Sequence, residues 1–197
     1  MIKVEVKTKS FGDTVVLQDV RFDVAGGETV AVTGPSGVGK STLLGLIAGT
    51  DAEFEGNIQV PDRRAIVFQE PVLLPWRSVL QNITLVHPAL GDAAARGALD
   101  RVGIVDKAAL FPGQLSLGQQ RRLSLARAFA DAPELLIMDE PFVSLDQDTA
   151  DEMLALTETL IRDTRPATIF VTHAIAEADR LADRVLRLTG SPATISN

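Results

Sequence analysis

Residues 34–41 read GPSGVGKS, and this stretch decides the fold. It matches the phosphate-binding P-loop, in which a glycine and four variable residues precede Gly-Lys and then Ser or Thr. An apolar, β-branched run at residues 29–33 comes before it, and a helical pattern over residues 41–48 follows. A glycine-rich turn with an incidental lysine is the alternative, but the flanking strand and helix favour a nucleoside triphosphate site with magnesium.

The residue types in this loop suit a phosphate group. Glycines let the backbone wrap closely around an anion, so that its N–H groups point at phosphate oxygens. Lys40 is expected to reach the β- and γ-phosphates, and the Ser41 hydroxyl is expected to ligate Mg²⁺. The predicted nucleotide contacts are Gly34, Pro35, Ser36, Gly37, Val38, Gly39, Lys40, Ser41 and Thr42.

Two acids follow a second apolar run, at residues 135–138. If this run is a core strand, Asp139 and Glu140 lie at its carboxyl end, where ligands bind in parallel sheets. Asp139 suits the Mg²⁺ shell, and Glu140 suits a general base that polarises the attacking water. The alternative is a solvated pair of acids, which the P-loop makes the weaker interpretation.

Strand patterns alternate with helix patterns along the chain, which predicts an α/β fold with a largely parallel sheet. Residues 2–7 and 15–24 read as strands before the P-loop, forming an N-terminal antiparallel β part. From residue 70 prolines interrupt the pattern and helical stretches dominate. We predict one domain over 1–197, with residues 1–69 and 131–197 as the nucleotide-binding core and about 70–130 as an inserted α-helical subdomain.

The composition limits the classes of function. A net charge of −7 argues against a nucleic-acid partner, because such proteins usually carry a basic surface. The sequence has no cysteine, so disulfides and Cys-ligated metals are excluded. No apolar run approaches the roughly 20 residues that span a bilayer, and the start lacks a signal-peptide pattern. We expect any membrane link to pass through a partner.

Further motifs resemble those of the ATP-binding cassette (ABC) family over nearly the whole chain. Residues 115–120, LSLGQQ, resemble the family's signature motif LSGGQ and precede the Asp139–Glu140 strand, as in the family. The other matches are Gln69 (Q-loop), residues 144–146 with Asp146 (D-loop), His173 (switch histidine) and Phe11 (an aromatic that stacks on adenine). The likeness implies a P-loop NTPase core of the RecA-like type that binds ATP and Mg²⁺.

The resemblance also implies a composite site. Two cassettes, here expected to be two copies of this chain, pair head to tail, and each ATP lies between one P-loop and the other's signature. Ser116, Gly118 and Gln119 would then contact the γ-phosphate from the partner, and Asp146 would act across the dimer. Gln69 would contact the metal and water, and His173 the γ-phosphate.

One residue departs from the family pattern. Leu117 stands where LSGGQ has its first glycine. Three interpretations remain open: the leucine is tolerated, it slows hydrolysis, or it marks a degenerate site in an unequal heterodimer. We favour tolerance, because Ser116, Gly118, Gln119 and Glu140 are all present.

Residues 68–76, FQEPVLLPW, resemble the Q-loop region of importers of the nitrate, sulfonate and taurine group. The likeness implies an integral membrane permease docking near residues 69–83, a substrate-binding protein acting indirectly, and a peripheral position on the cytoplasmic face of the cell membrane. Trp76 suits either the docking groove or internal packing. The direction, import, rests on this stretch alone, and the cargo does not follow from the sequence. The chain stops soon after the His173 region, so we expect no C-terminal regulatory domain.

Two other functions compete with a transport ATPase. A soluble ABC ATPase acting on DNA or ribosomes usually carries a coiled-coil insertion or tandem cassettes, which this acidic chain lacks. A P-loop kinase of small molecules would need neither the 115–120 motif nor His173. His87, beside Pro88, is interpreted as structural or solvated.

Overall fold

The computed structural model describes residues 1–196, and they form two compact units. The first contains residues 1–66, 134–140 and the chain from 165 onward; the second contains residues 67–133 and 141–164. The sequence-based division placed residues 131–197 together, whereas packing groups residues 141–164 with the helices. The assignment of nucleotide binding to residues 1–69 and 131–197, and of an inserted helical subdomain to about 70–130, stays a prediction.

The first unit is built on a mixed sheet. Among the described residues its strand order is β4-β1-β2-β9-β8-β3-β7-β6-β5. The strands are β1 (Ile2–Phe11), β2 (Thr14–Val24), β3 (Thr29–Thr33), β4 (Glu55–Gln59), β5 (Arg64–Val67), β6 (Leu135–Asp139), β7 (Ala167–Val171), β8 (Arg184–Gly190) and β9 (Ala193–Ser196). β4, β1 and β2 pair antiparallel, and β8, β3, β7 and β6 pair parallel, which confirms the predicted α/β class.

Burial explains which strands form the centre of the sheet. All five residues of β7 are buried, as are the first four of β3 and of β6, which suits parallel strands covered on both faces. β1 instead begins with alternating buried and exposed residues, as a half-covered strand does. Sequence reasoning missed β9, a short final strand that pairs antiparallel with β8.

Helices α1 (Lys40–Ala48) and α6 (Ile175–Leu181) also belong to the first unit. α1 ends at Gly49, whose φ of 77° is the left-handed conformation that glycine adopts at helix ends, and this was the predicted end. α6 begins two residues after His173. Leu43 and Ile47 of α1 join the hydrophobic core beside the strands.

The second unit is helical. It contains α2 (Gln81–Thr84), α3 (Asp92–Arg101), α4 (Leu117–Phe129) and α5 (Gln147–Thr164), with 3₁₀ turns at Val105–Lys107 and Pro112–Gln114. Arg122 on α4 donates to Val102 O after α3 (3.0 Å) and to Glu152 Oε2 on α5 (3.0 Å), linking the three longer helices. His87 Nε2 lies 2.8 Å from Arg127 O, which supports its structural role.

Across residues 1–196 no helix has the length and apolar character needed to cross a membrane.

Candidate functional site

The P-loop follows β3 and needs glycine at two positions. Gly34 has a φ of 148°, and a Cβ there would lie 2.5 Å from Leu188 O. Gly39 has a φ of 109°, and a Cβ there would lie 2.9 Å from Leu17 Cδ2. A side chain at Gly34 would clash with the backbone of β8, whereas at Gly39 it would crowd the Leu17 side chain and strain a left-handed backbone.

Lys40 is buried at 7% exposure, although it carries a charge. Its Nζ donates to Gly34 O (3.0 Å) and Pro35 O (3.1 Å), so the lysine holds the loop against itself. An ammonium group has three N–H donors, which leaves one for a phosphate oxygen. The predicted position of Lys40 beside a phosphate pocket is thus compatible with its contacts.

The N-terminus of α1 has no side-chain cap and no acidic residue in its first turn. The first N–H groups of a helix lack intrahelical partners, and they carry the positive end of the helix dipole. No carboxylate of α1 therefore competes with an anion for these donors. The predicted contacts Ser41 and Thr42 lie in this first turn.

An open pocket of about 400 Å³ lies against the loop. Its lining residues are Phe11, Val16, Ser36, Gly37, Gly39, Lys40, Ser41, Thr42 and Glu140. Phe11 is 56% exposed and forms an apolar wall, where the base of a nucleotide would lie if the phosphates lie on the loop. Val16 was not predicted as a pocket residue. In the sequence, only its place in the strand pattern of residues 15–24 could have indicated that it faces this pocket.

Asp139 ends β6 in the first unit, as predicted. Burial raises the pKa of its carboxyl above the ordinary value of 3.8; the hydroxyl of Ser41 opposes this by hydrogen bonding, and the charge of Glu140 adds to it. Oδ1 of Asp139 is buried and has no hydrogen-bond partner. A buried, unpartnered carboxylate oxygen next to a serine hydroxyl is a place where a cation would relieve the burial cost.

Glu140 follows directly and has an unusual backbone. Its φ is 43°, a left-handed conformation that costs a non-glycine residue roughly 1–2 kcal/mol. Its N–H donates to Val171 O (3.1 Å), which fixes this turn to β7. Glu140 lines the P-loop pocket, so the strained turn leaves this residue beside the loop, and its role as a general base stays a prediction.

His173 lies near Glu140, and the two were predicted to share a site. His173 Nδ1 is 3.7 Å from Glu140 Oε2, and the imidazole is largely exposed. Thr172 Oγ1 accepts from Ala174 N (3.0 Å) and donates to Glu177 Oε2, so both neighbours of His173 are held. The structure therefore brings Phe11, the P-loop, Asp139, Glu140 and His173 together in the first unit.

The second unit presents a pocket of about 390 Å³ at the start of α4. Ser116 Oγ accepts from Gln119 N (3.3 Å), and Gln119 Oε1 accepts from Ser116 N (3.1 Å), a reciprocal capping box. The Ser116 hydroxyl proton remains free to donate. The pocket is lined by Ser116, Leu117, Gly118, Gln119, Arg122, Ser144, Leu145, Asp146, Thr149 and Glu152.

Asp146 has a structural role that sequence reasoning missed. Its carboxylate accepts from Thr149 N (3.0 Å) and Thr149 Oγ1 (2.7 Å), and so caps the start of α5. These hydrogen bonds hold the pKa of Asp146 below its ordinary value, which keeps the cap charged. Whether the residue also acts across a dimer stays a prediction.

Arg121 was also missed by sequence reasoning. It is 3% exposed, and its Nη1 and Nη2 donate to Pro141 O and Val143 O (both 2.8 Å). This fork ties α4 to the segment leading into residues 144–146. Gln69, in the same unit, is exposed after β5, and its predicted contact with metal and water stays a prediction.

The profile of the ABC transporter family matches residues 17–143. The chain belongs to this family. It is 48% identical over 181 residues to the aliphatic sulfonates import ATP-binding protein SsuB 2 of Frankia alni, covering 91% of this chain and 74% of the relative. It is 46% identical over 187 residues to SsuB of a Mycobacterium species, covering 92% of this chain and 76% of the relative.

Solved ABC cassettes share the fold. One is a dimeric cassette in a post-hydrolysis state bound to ADP and Pi, at 28% identity and a TM-score of 0.82, covering 100% of this chain and 97% of the other. A dimeric bacterial ABC transporter cassette matches equally well. These matches confirm the predicted P-loop NTPase fold, and the chain is an ATP-binding ATPase of the ABC family. The relatives' names favour transport over the soluble ABC ATPase.

The structure bears on Leu117, where this ABC protein departs from the family's signature. Leu117 is the first residue of α4 and has no positive φ, so its backbone does not require glycine. Its side chain is 40% exposed at the pocket edge. We expect Leu117→Gly to change the ATPase rate of the assembled transporter by less than about threefold, since even in mid-helix a glycine costs only about 0.5–1 kcal/mol.

Gly118→Ala is the matched comparison at the next position. A Cβ there would lie 3.1 Å from Thr149 Cγ2, so the Thr149 side chain must give way slightly, and turnover should fall more than with Leu117→Gly. Steady-state phosphate release measures both variants. A rise of tenfold or more in Leu117→Gly would show instead that the leucine slows hydrolysis.

Proposed function

We propose that this chain is the ATP-hydrolysing subunit of an ABC importer. The observation that carries the ATP-hydrolysing role is the P-loop pocket, which an uncapped helix start, Lys40 and Glu140 line together in one unit. Phe11 offers the base a stacking surface, and residues 34–42 offer backbone N–H groups to the phosphates. One pocket thus contains Phe11 and the P-loop residues that would bind ATP, and Glu140, which would act in its hydrolysis.

The residues fit a magnesium ion. Oxygen ligands suit Mg²⁺, and Asp139 supplies a buried carboxylate oxygen without a partner beside Ser41. Among residues 1–196 no three His, Cys, Asp or Glu cluster to hold a metal, so such an ion would depend on phosphate oxygens as well. Ser41 and Asp139 would hold it, and it would neutralise charge that develops on the phosphates.

The hydrolytic step rests on Glu140. Its carboxylate accepts a proton from the attacking water, and His173, 3.7 Å away, contacts the γ-phosphate. Lys40 keeps the loop carbonyls of Gly34 and Pro35 bound and directs its remaining N–H at the phosphates. Positioning and charge supply most of the catalysis in phosphoryl transfer.

The other half of the site comes from a second copy of the chain. Ser116, Gly118 and Gln119 form a surface with a free hydroxyl proton at a helix start, which suits a γ-phosphate. The solved cassettes that this chain resembles are dimeric. Asp146 lies in the same pocket and would contact the opposite copy. ATP would therefore hold two copies together until hydrolysis.

The surface near residues 69–83 suits a membrane permease. Asn82 is fully buried; its Oδ1 accepts from Leu74 N (2.7 Å), and its Nδ2 donates to Leu74 O (3.2 Å), which holds the preceding loop in place. Leu73 and Leu74 are half-buried, whereas Trp76 is 68% exposed on this loop. An exposed tryptophan favours docking over the internal packing that the sequence left open.

Import, and an aliphatic sulfonate as cargo, are proposed from the names of the relatives. A substrate-binding protein would deliver the cargo to the permease. The chain would then lie peripherally on the cytoplasmic face of the membrane. No nucleic-acid partner is proposed.

The permease partner can be tested by co-purification. We expect the tagged chain to recover an integral membrane permease from detergent-solubilised membranes, and Trp76→Ala to lower the yield at least about fivefold. The reason is that central interface tryptophans commonly contribute about 2 kcal/mol or more.

Val185→Ala is the control, because Val185 is also an exposed apolar residue (48%) but lies on β8. It should leave the yield unchanged. Failure of the unaltered chain to recover any permease would count against transport, and equal losses in both variants would count against docking through Trp76.

A further inference from the structure

Lys9 is a charged residue in the interior of the first unit. Its side chain is 1% exposed, among the most buried in the described chain. The Nζ atom pairs with Asp51 Oδ2 (2.7 Å) and donates to Glu53 O (2.7 Å). Burying an ammonium group is costly even when it is paired. Replacing a buried ion pair by apolar residues of similar volume is often neutral or stabilising.

A register shift in β1 precedes Lys9 and accounts for its inward direction. Ile2, Val4 and Val6 are buried in alternation, but the pairing with β4 shifts between Val6 and Thr8, and this shift reverses the alternation. The pairing with β2 shifts again between Lys9 and Ser10. β-bulges of this kind re-aim side chains and are common beside active sites.

The buried charge lies against an aromatic ring of the nucleotide pocket. Lys9 Nζ is over the Phe11 ring, 4.5 Å from its centroid, within the range of a cation–π interaction. Phe11 is 56% exposed and lines the P-loop pocket, so the ring is held on one face and open elsewhere. Asp51 is itself fixed, since its Oδ1 accepts from Glu53 N (3.0 Å).

We propose that Lys9 is a positioning residue for nucleotide binding, which fixes the Phe11 ring so that its open face is ready to stack on a purine base. The inference rests on the proposed function, in which Phe11 contacts the base. Holding an exposed aromatic side chain in its binding conformation removes an ordering cost that binding would otherwise bear. Through Phe11, Lys9 therefore affects the binding of the base and not that of the phosphates.

A comparison of two ligands tests this role. Dissociation constants for ATP and for inorganic triphosphate, both with Mg²⁺, are measured for the unaltered chain, Lys9→Met, Phe11→Ala and the double variant. We expect Lys9→Met to weaken ATP about 3- to 10-fold and inorganic triphosphate less than about twofold. In the Phe11→Ala background, Lys9→Met should have no further effect on ATP.

The outcomes separate the inference from the proposed function. Phe11→Ala should itself weaken ATP about tenfold, and if it does not, base stacking by Phe11 fails and the role of Lys9 fails with it. If Phe11→Ala weakens ATP but Lys9→Met does not, only the inference is wrong. Equal losses for both ligands, or a loss that persists without Phe11, would show a purely structural lysine and overturn it.

A second variant guards against misfolding of Lys9→Met. Asp51→Asn removes the ion pair but leaves the lysine, and Asp51 is 27% exposed, so the change is milder. It should weaken ATP about two- to threefold and leave inorganic triphosphate unchanged. If Lys9→Met does not fold, Asp51→Asn decides the question. The proposal is then contradicted if Asp51→Asn shows no loss of affinity that is selective for ATP.

Discussion

Glu140→Gln is expected to lower ATP hydrolysis about 10²- to 10⁴-fold while ATP binding is retained, because the amide cannot accept a proton from water. The carboxylate borders the P-loop pocket, and its turn is fixed by the hydrogen bond from Glu140 N to Val171 O. Since the amide has nearly the same shape, the pocket should keep its form. Two copies should then stay joined around unhydrolysed ATP, which size-exclusion chromatography would show as an ATP-dependent dimer.

Glu134→Gln is the matched control for this experiment. Glu134 directly precedes β6, the strand that Glu140 follows, and it makes an exposed ion pair with Arg63 (2.9 Å). Surface pairs of this kind contribute little to stability, so hydrolysis should be unaffected. Normal turnover in Glu140→Gln would show that another group takes the proton.

Lys40→Ala is expected to act one step earlier, on nucleotide binding. The change removes a charged donor from the phosphates and leaves the carbonyls of Gly34 and Pro35 without it. Hydrogen bonds to charged groups contribute about 1.5–3 kcal/mol, which corresponds to an ATP affinity about 10- to 100-fold weaker. Isothermal titration calorimetry with Mg-ATP measures the difference.

Lys7→Ala removes the same charge from an exposed position on β1 and should leave affinity unchanged. The contrast separates the local role of Lys40 from a general effect of net charge. Lys40→Ala should also lower the affinity for inorganic triphosphate, whereas Lys9→Met should not. An unaltered affinity for both ligands in Lys40→Ala would show that the phosphates do not lie on this loop.

The elements of the nucleotide pocket follow closely from the sequence. β3 has the predicted bounds, α1 begins one residue earlier than predicted, and the acids of residues 139–140 end β6 as expected. These features are local: a buried apolar run, a glycine pattern and a helix end are each set by neighbouring residues. The alternation of strands and helices predicts one largely parallel sheet, and β3 and β6 both lie in it with β7 between them.

The signature region shows where sequence reasoning reaches less far. α4 begins within the motif at residues 115–120, yet the mutual capping of Ser116 and Gln119 was not anticipated. Nor was the clamp by which Arg121 holds the carbonyls of Pro141 and Val143, about 20 residues along the chain. Such contacts depend on which helices pack together, and periodicity does not specify this.

The sequence by itself determined the P-loop between a strand and a helix, the acid pair Asp139–Glu140 and the family to which the chain belongs. Only the tertiary structure decided that Lys9 is buried, that its charge lies over Phe11, and that Asn82 holds the loop carrying Trp76. The physical reason is the range of the interactions. Lys9 and Asp51 are 42 residues apart, and a register shift in β1 precedes Lys9. The alternation of β1, continued without that shift, would have turned Lys9 to the opposite face of the sheet.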